Sequence, residues 1–231
     1  MAKPAAKAVI AKKKIWVPIK ATKLFSEQVL GESFVEAPEQ LMGRVASVSL
    51  MILTGDPQKQ TVSVSFKVTG VTKEGVTTEL IGYKLLPAAA KKLMRRKRDK
   101  IEDSFIVVTK DGKIIRIKPL VITRGSTTGS VMATMRRLER AYVAKVISTS
   151  DFDAIVTDIV TKKFQHGLGM LLRHLYPIGA CEIRQFELIA PEKVKELGLK
   201  ITLPPEKLPE FKTSKKEEPK QEQKTEQPAT A

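Results

Sequence analysis

Thr61-Val-Ser-Val-Ser-Phe-Lys-Val-Thr69 alternates at every step: Val62, Val64, Phe66 and Val68 share one face, and Ser63, Ser65, Lys67 and Thr69 share the other. A period of two marks a strand with one buried and one wet face. Val45–Leu53, just upstream, is apolar-rich with Ser47 and Ser49 on one side. Thr54-Gly-Asp-Pro57 between the runs is a turn signal, so the two are expected to pair as antiparallel strands. Val76–Lys84 reads as a third strand, and Ser104–Thr109 and Lys113–Lys118 flank Asp111-Gly112, a hairpin signal. Five or six short strands with turns between them predict a barrel or sandwich rather than a parallel sheet.

Beyond Thr123 the period lengthens. Val131, Met135, Leu138, Tyr142 and Val146 form a helical stripe, with Arg136, Arg137 and Arg140 on the far face. Ser150 and Asp153 have capping-box spacing ahead of a second helix carrying Phe152, Ile155, Val156 and Ile159. A third helix is expected over Gln165–Leu175, then Tyr176-Pro177 and a strand over Cys181–Ile189. The expected class is α+β: an antiparallel β-barrel-like body, then a helical α+β portion. Residues 1–23 are assigned to a basic arm and 24–123 to the β-rich region with an inserted basic helix. Residues 124–203 form the α+β region, and 204–231 a disordered tail of Lys, Glu, Gln, Pro and Thr.

The inserted segment is Lys91-Lys-Leu-Met-Arg-Arg-Lys-Arg-Asp-Lys100. Lys91, Lys92, Arg95, Arg96, Lys97, Arg98 and Lys100 are basic, and Asp99 alone opposes them. Pro87 suits a first helical turn. Leu86, Ala89, Ala90, Leu93 and Met94 then share a face, with Lys91, Arg95 and Arg98 roughly opposite, whereas Lys97 and Lys100 fall on the apolar side. The arm holds Lys3, Lys7, Lys12, Lys13, Lys14, Lys20 and Lys23 and no acid. With no core pattern, it is expected to be flexible when free and to order on binding. Its Trp16 either pins the arm to the body or stacks on a nucleobase.

The net charge of +16 over 231 residues points to nucleic acid, an acidic membrane surface or acidic protein partners. The apolar stretches are too short to cross a bilayer, and the lysine-rich start is not a hydrophobic signal segment. A single cysteine, Cys181, rules out a disulfide framework or multi-cysteine zinc site and suits a reducing, cytosolic setting. It is expected to be a buried structural thiol. His166 and His174 lie eight apart with no zinc spacing around them, and no carboxylate pair suits acid/base chemistry. Gly125-Ser-Thr-Thr-Gly-Ser130 resembles a phosphate loop but has Ser130 where a P-loop needs lysine. It serves either as a plain loop and helix cap or as a contact for a nucleic-acid phosphate. No catalysis, cofactor or metal is expected.

Three basic regions agree instead: the arm, the Lys91–Lys100 run and the Arg136/Arg137/Arg140 face, with Arg116, Lys118 and Arg124 between them. No helix-turn-helix, zipper or finger is present to read a DNA groove, and no paired aromatic motif of single-strand RNA sheets appears. Folded RNA, held by backbone and shape, is the expected ligand. The expected contacts are Lys12, Lys13, Lys14, Lys20, Lys23, Lys91, Lys92, Arg95, Arg96, Lys97, Arg98, Arg116, Arg124, Arg136, Arg137 and Arg140. A free-standing RNA-binding chaperone or translation regulator is the competing class.

The order of these residues resembles the archaeal and eukaryotic small-subunit ribosomal protein family S-three-Ae, or e-S-one. The match starts at Trp16 with Lys20-Ala21 and Phe25, then Gly31-Glu32, Leu41-x-Gly43-Arg44-Val45, Val48-Ser49-Leu50 and Asp56. It continues through Arg95-Arg96 with Ile101, Thr109-Lys-Asp-Gly112 with Arg116, the arginine-bearing helix, and Tyr176-Pro177 with Glu182-Ile183-Arg184. It covers about Ile15–Ile189; Lys20-Ala-Thr22 departs from the family's Lys-Ala-Pro. Without a long charged eukaryotic extension at the start, the archaeal form is expected. The resemblance implies a β-barrel body with helices, and a cytoplasmic place on the small-subunit platform near the messenger exit and the rRNA 3′ end. The implied partners are small-subunit rRNA, neighbouring proteins including the S-eleven family, and messenger RNA near the exit, with no membrane.

Overall fold

A computed structural model describes residues 13–72, 75–196 and 201–202. In chain order its strands and helices are β1 (Ile15–Lys20), β2 (Val29–Val35), β3 (Val45–Ser49), α1 (Leu50–Thr54), β4 (Val62–Thr72), β5 (Gly75–Leu85) and α2 (Pro87–Leu93). There follow β6 (Lys100–Glu102), β7 (Phe105–Val108), β8 (Ile114–Thr123), α3 (Gly129–Thr149), α4 (Phe152–Val160), α5 (Lys163–Arg173), β9 (Ile178–Ile189) and α6 (Pro191–Glu196). The expected tail, residues 204–231, and the first twelve residues of the expected arm lie outside the described residues.

The alternation at Thr61–Thr69 becomes β4, with Val62, Val64, Phe66 and Val68 all buried. It pairs along its length with β5, from Val62↔Leu85 to Thr72↔Gly75, through two bulges that add twist. The opposite edge of β5 is divided. Val76–Thr77 pairs in parallel with Ile19–Lys20 of β1, and Gly82–Lys84 pairs antiparallel with Gln185–Glu187 of β9. β9 in turn pairs with all of β8, whose far edge carries β7 and β6.

The class is α+β as expected, but the sheet is mixed and does not close into a barrel. Among the described residues, edge strands β2 and β3 each pair with one neighbour only, β2 with β1 and β3 with β4, and not with each other. The parallel β1–β5 contact also departs from the expected all-antiparallel body. It places Ile15–Lys20, read from sequence as part of an arm, in the sheet.

One more strand is a correction. Val45–Leu53 is a strand only to Ser49; Leu50 and Leu53, three apart, turn into the core as α1. Gly55 ends that helix at φ +72, its N–H bonded to the Met51 carbonyl. Helix propagation wins because those two leucines reach the core on one turn, leaving Ile52 exposed.

The helices cover one side. Phe152 of α4 lies 5.9 Å from Phe186 of β9, and Tyr142 of α3 lies 5.7 Å from Phe164 of α5. One core cluster joins Val64, Phe66 and Leu80 to Ile147, Ile155, Ile159 and Phe186, so the β-rich and helical segments share an interior. The capping box expected from Ser150 and Asp153 does not form. The first free N–H of α4, on Phe152, instead donates to the carboxylate of Asp111 at 2.8 Å, and the Lys110 N–H donates to the Ser150 carbonyl. Thus the Asp111-Gly112 hairpin, with Gly112 at φ +75, caps a helix about 40 residues downstream.

Two positions constrain this arrangement. Gly75 sits at φ +144, where a Cβ would lie 2.6 Å from the Pro18 carbonyl oxygen. Replacing it with alanine should therefore lower stability by about 1–3 kcal/mol and loosen β1 first, visible as faster amide exchange at Ile19 and Lys20. Glu139 of α3 is fully buried and neither carboxyl oxygen has a hydrogen-bond partner. Burial, helped by Asp103 and opposed by Arg136 and Arg140, pushes its pKa up to about 8. An acid raised in the folded state contributes full stability below its ordinary 4.5 and loses it as pH rises through about 8. Glu139→Gln should thus be more stable than the parent above that window by a few kcal/mol, roughly, with the advantage vanishing near pH 4; melts across pH test this.

Candidate nucleic-acid interface

The basic run does not continue as a helix. α2 stops at Leu93; Met94 is already extended, and its N–H bonds the Lys91 carbonyl. Further turns would stack Arg95 and Arg96 on Lys91 and Lys92, and Arg98 on Arg95, at three- and four-residue spacing, a repulsive pattern, with no apolar residue between Met94 and Ile101 to bury. Lys91 and Lys92 end the helix instead, where cations suit its C-terminal dipole. The amphipathic stripe is shallow: Ala89, Ala90 and Leu93 are half-buried, while Leu86 and Met94 are exposed. The expected helical placement of Arg95 and Arg98 is therefore corrected: both lie in the turn beyond it.

Lys97, at φ +61, reverses the chain toward β6. Asp99, the run's single acid, anchors that reversal. Its Oδ2 accepts the Thr127 N–H at 2.6 Å, the Thr127 hydroxyl at 3.0 Å and the Ser126 hydroxyl at 3.5 Å. These bonds, the backbone one foremost, hold its carboxyl below the ordinary 3.8. The Asp99 N–H donates to Thr123 Oγ1 at 2.9 Å, and the Thr123 N–H donates to the Asp99 carbonyl at 3.0 Å. The Gly125–Ser130 segment is thereby a docking loop for the run. The Thr127 N–H is occupied by Asp99, and Tyr176 binds the Ser126 carbonyl.

Lys91, Lys92, Arg95, Arg96, Lys97 and Arg98 form no ion pair among the described residues. All but half-buried Arg98 are exposed. Arg98 reaches over Gly179 of β9, where an added Cβ would lie 3.5 Å from its Nη1. With Lys92 and Arg95 it lines an open groove of about 390 Å³ that also contains Glu182, itself paired with Lys162 at 2.9 Å. Elsewhere cations are matched to acids: Lys100 and Arg184 to Glu102, Lys110 to Asp151, Lys113 to Glu79.

The other nominated residues divide. Arg124 is exposed beside the docking loop, its N–H on the Pro177 carbonyl, so it joins the run. Arg136 and Arg140 approach Asp103 at 3.9 and 3.7 Å, and Arg140 lies 5.3 Å over the Phe105 ring. Arg137, on the same helix, is exposed and has no acid partner among the described residues. Arg116 donates to Ser104 at 3.1 Å and lines a separate groove of about 830 Å³ on the open sheet face. Lys13 and Lys14 precede β1, which meets β5 only at that strand's start, whereas the run follows its end. Those two lysines therefore stand apart from the run. Lys23 is exposed and Lys20 half-buried; Lys12 lies outside the described residues.

The sequence did not bring Lys84 into the neighbourhood of Lys118. Lys84 sits across Gln185 from Lys118, which donates to that glutamine at 2.7 Å. Alternation already placed Lys84 on a strand, but only the arrival of β9 brings the two lysines into one row.

Cys181 and His166 share a small cleft with Lys162 and Arg173. Burial pushes the Cys181 thiol up to about 12, with Glu139 and Glu182 adding and Arg173 opposing, so it stays protonated and a poor nucleophile at neutral pH. Among the described residues no His/Cys/Asp/Glu group is arranged to hold a metal ion.

The anchoring role of Asp99 has a signature opposite to a charge count. Removing an acid from a cationic surface should tighten polyanion binding; Asp99→Ala should weaken it, because the run loses its fixed geometry, and should speed amide exchange at Thr127. Fluorescence anisotropy with an RNA hairpin and hydrogen exchange measure both.

A sequence profile of the Ribosomal S3Ae family matches residues 6–191. The small ribosomal subunit protein eS1 of Nanoarchaeum equitans is 34% identical over 182 residues, covering 79% of this chain and 92% of its own length. That of Aeropyrum pernix is 31% identical over 202 residues, covering 82% and 94%, and that of Desulfurococcus amylolyticus 30% identical over 178, covering 77% and 84%. A cationic turn clamped onto an α+β body, and a family match spanning nearly all of that body, lead to one conclusion: the chain belongs to the ribosomal S3Ae family, in its archaeal form.

Proposed function

We propose that this protein is a noncatalytic structural constituent of the cytoplasmic small ribosomal subunit, and that it braces rRNA through its basic surfaces. The observation that carries the RNA-binding part is the uncompensated run. The six cations between Lys91 and Arg98, interrupted only by Leu93 and Met94, lack an acid partner among the described residues, while acids elsewhere neutralise other cations. Such clustering is self-repulsive alone and favourable against a phosphate backbone, where each contact releases counterions. The family relatives, named as small ribosomal subunit proteins, support the location.

Arg124 extends the same surface, and Arg136, Arg137, Arg140, Arg116 and the lysines of the N-terminal segment supply secondary contacts. Binding to neighbouring small-subunit proteins, the S-eleven family among them, and to messenger RNA near the exit belongs to the same proposal and rests on the family resemblance. Sedimentation through a high-salt gradient separates it from a free-standing RNA chaperone or regulator. A subunit constituent stays with the small subunit at unit stoichiometry, and a free factor remains at the top.

Arg95→Gln, Arg96→Gln and Arg98→Gln together should leave the fold intact, since none is fully buried. If all three meet phosphates, the log–log salt slope for rRNA binding should become shallower by about 2–3. An unchanged slope and affinity would show the run to be a solvated face.

A further inference from the structure

Trp16 and Phe34 face each other across β1 and β2, ring centroids 4.9 Å apart and planes tilted by 37°. Both are exposed, Trp16 by 65% and Phe34 by 50%. Register compels this. Val17 and Val35, on the other face of the ribbon, are buried against Leu41, Val68 and Val76, so Trp16 and Phe34 must point outward. Trp16 therefore does not pin this segment to the interior; the valines do.

An aromatic pair this open is unfavourable in water unless something covers it. The charge around it indicates what. Exposed Lys13 and Lys14 lead directly into β1, and the Lys14 ammonium lies 5.8 Å from the centre of the Phe34 ring. The first 23 residues hold seven lysines and no acid. Glu32, two positions from Phe34 along the same face, marks the far end, so a polyanion would enter from the lysine side. A nucleotide carries a flat π face and a phosphate in one unit, and so matches aromatic pair and lysine rim together. A protein partner would have to bring an aromatic or apolar group and an acid separately.

We propose that Trp16 and Phe34 form a stacking platform for an unpaired RNA base, with Lys13 and Lys14 holding the adjoining phosphates. It deepens the rRNA-binding function proposed above and rests on it. The site stands apart from the basic run, at the opposite end of β5. The run holds backbone, and the platform takes a base that the folded RNA leaves unstacked.

Trp16 is the chain's single tryptophan, so its fluorescence reports on this site alone. The full chain is titrated with oligoriboadenylate of about 12 nucleotides and with an abasic strand of equal length and charge. Expected is quenching by the adenylate but not by the abasic strand. Trp16→Ala should weaken adenylate binding roughly 5- to 150-fold, leave abasic binding unchanged, and leave the melt unchanged, because the side chain is exposed; Trp16→Phe should recover most of the loss. Equal quenching by both strands, or undiminished adenylate binding by Trp16→Ala, overturns the platform. Quenching produced only by an RNA-free small-subunit protein fraction would mark a protein-docking face and overturn it too. Failure of both strands and of rRNA to bind at low salt would sink the RNA-binding function itself. rRNA binding with a steep salt slope but no base-dependent quenching would sink the platform alone.

Discussion

The insertion of β9 between β5 and β8 is the constraint on which the molecule depends. It joins a strand that follows α3, α4 and α5 to two that precede them, with ten paired positions against β8 and three against β5. Phe186 on its inner face meets Phe152, so the helical layer is held against the sheet by the same strand that unites its two parts. Gln185, on the same strand, stands between Lys84 and Lys118, and Gly179 at its start makes room for Arg98. Interior and cationic surface are positioned by one element.

Charge placement follows a comparable division. Acids are spent on lysines and arginines that frame the sheet and helices, as in the Lys162–Glu182 and Lys113–Glu79 pairs. Exposed pairs of this kind are worth at most about 1 kcal/mol each, so their effect is to distribute charge more than to hold the fold. Asp99 differs: it satisfies backbone and hydroxyl donors of the 125–130 loop and so pins a turn whose cations repel one another.

Much of the fold was legible from period alone. Val62, Val64, Phe66 and Val68 are buried as their alternation required, and so are Phe152, Ile155, Val156 and Ile159 at helical spacing. Patterns failed where two periods fit the same letters. Val45–Leu53 is apolar enough for a strand throughout, yet Leu50 and Leu53 reach the core only as a helical turn. The Leu86–Met94 stripe suggested a helix carrying Arg95 and Arg98, whereas like-charge spacing and the lack of apolar residues between Met94 and Ile101 end it at Leu93. The strand at Val29–Val35 escaped notice because its burial is slight; its partner β1 is recognisable only through the tertiary pairing. At the interface, the concentration of cations was readable, but which of them are neutralised was not, since Asp103 reaches Arg136 and Arg140 from about 30 residues away.

By itself the sequence determined the α+β class, the turns at Gly55 and Gly112, the buried faces of β4 and α4, and the excess of positive charge, because these depend on neighbours within a few residues. Only the tertiary structure decided that the sheet stays open, that Asp111 rather than Ser150 caps α4, that Asp99 clamps the basic turn, and that Trp16 faces solvent. Each of those outcomes turns on which distant strand or loop arrives at a given edge. Pairing across such separations is chosen by the packing of the whole core, which no local pattern encodes.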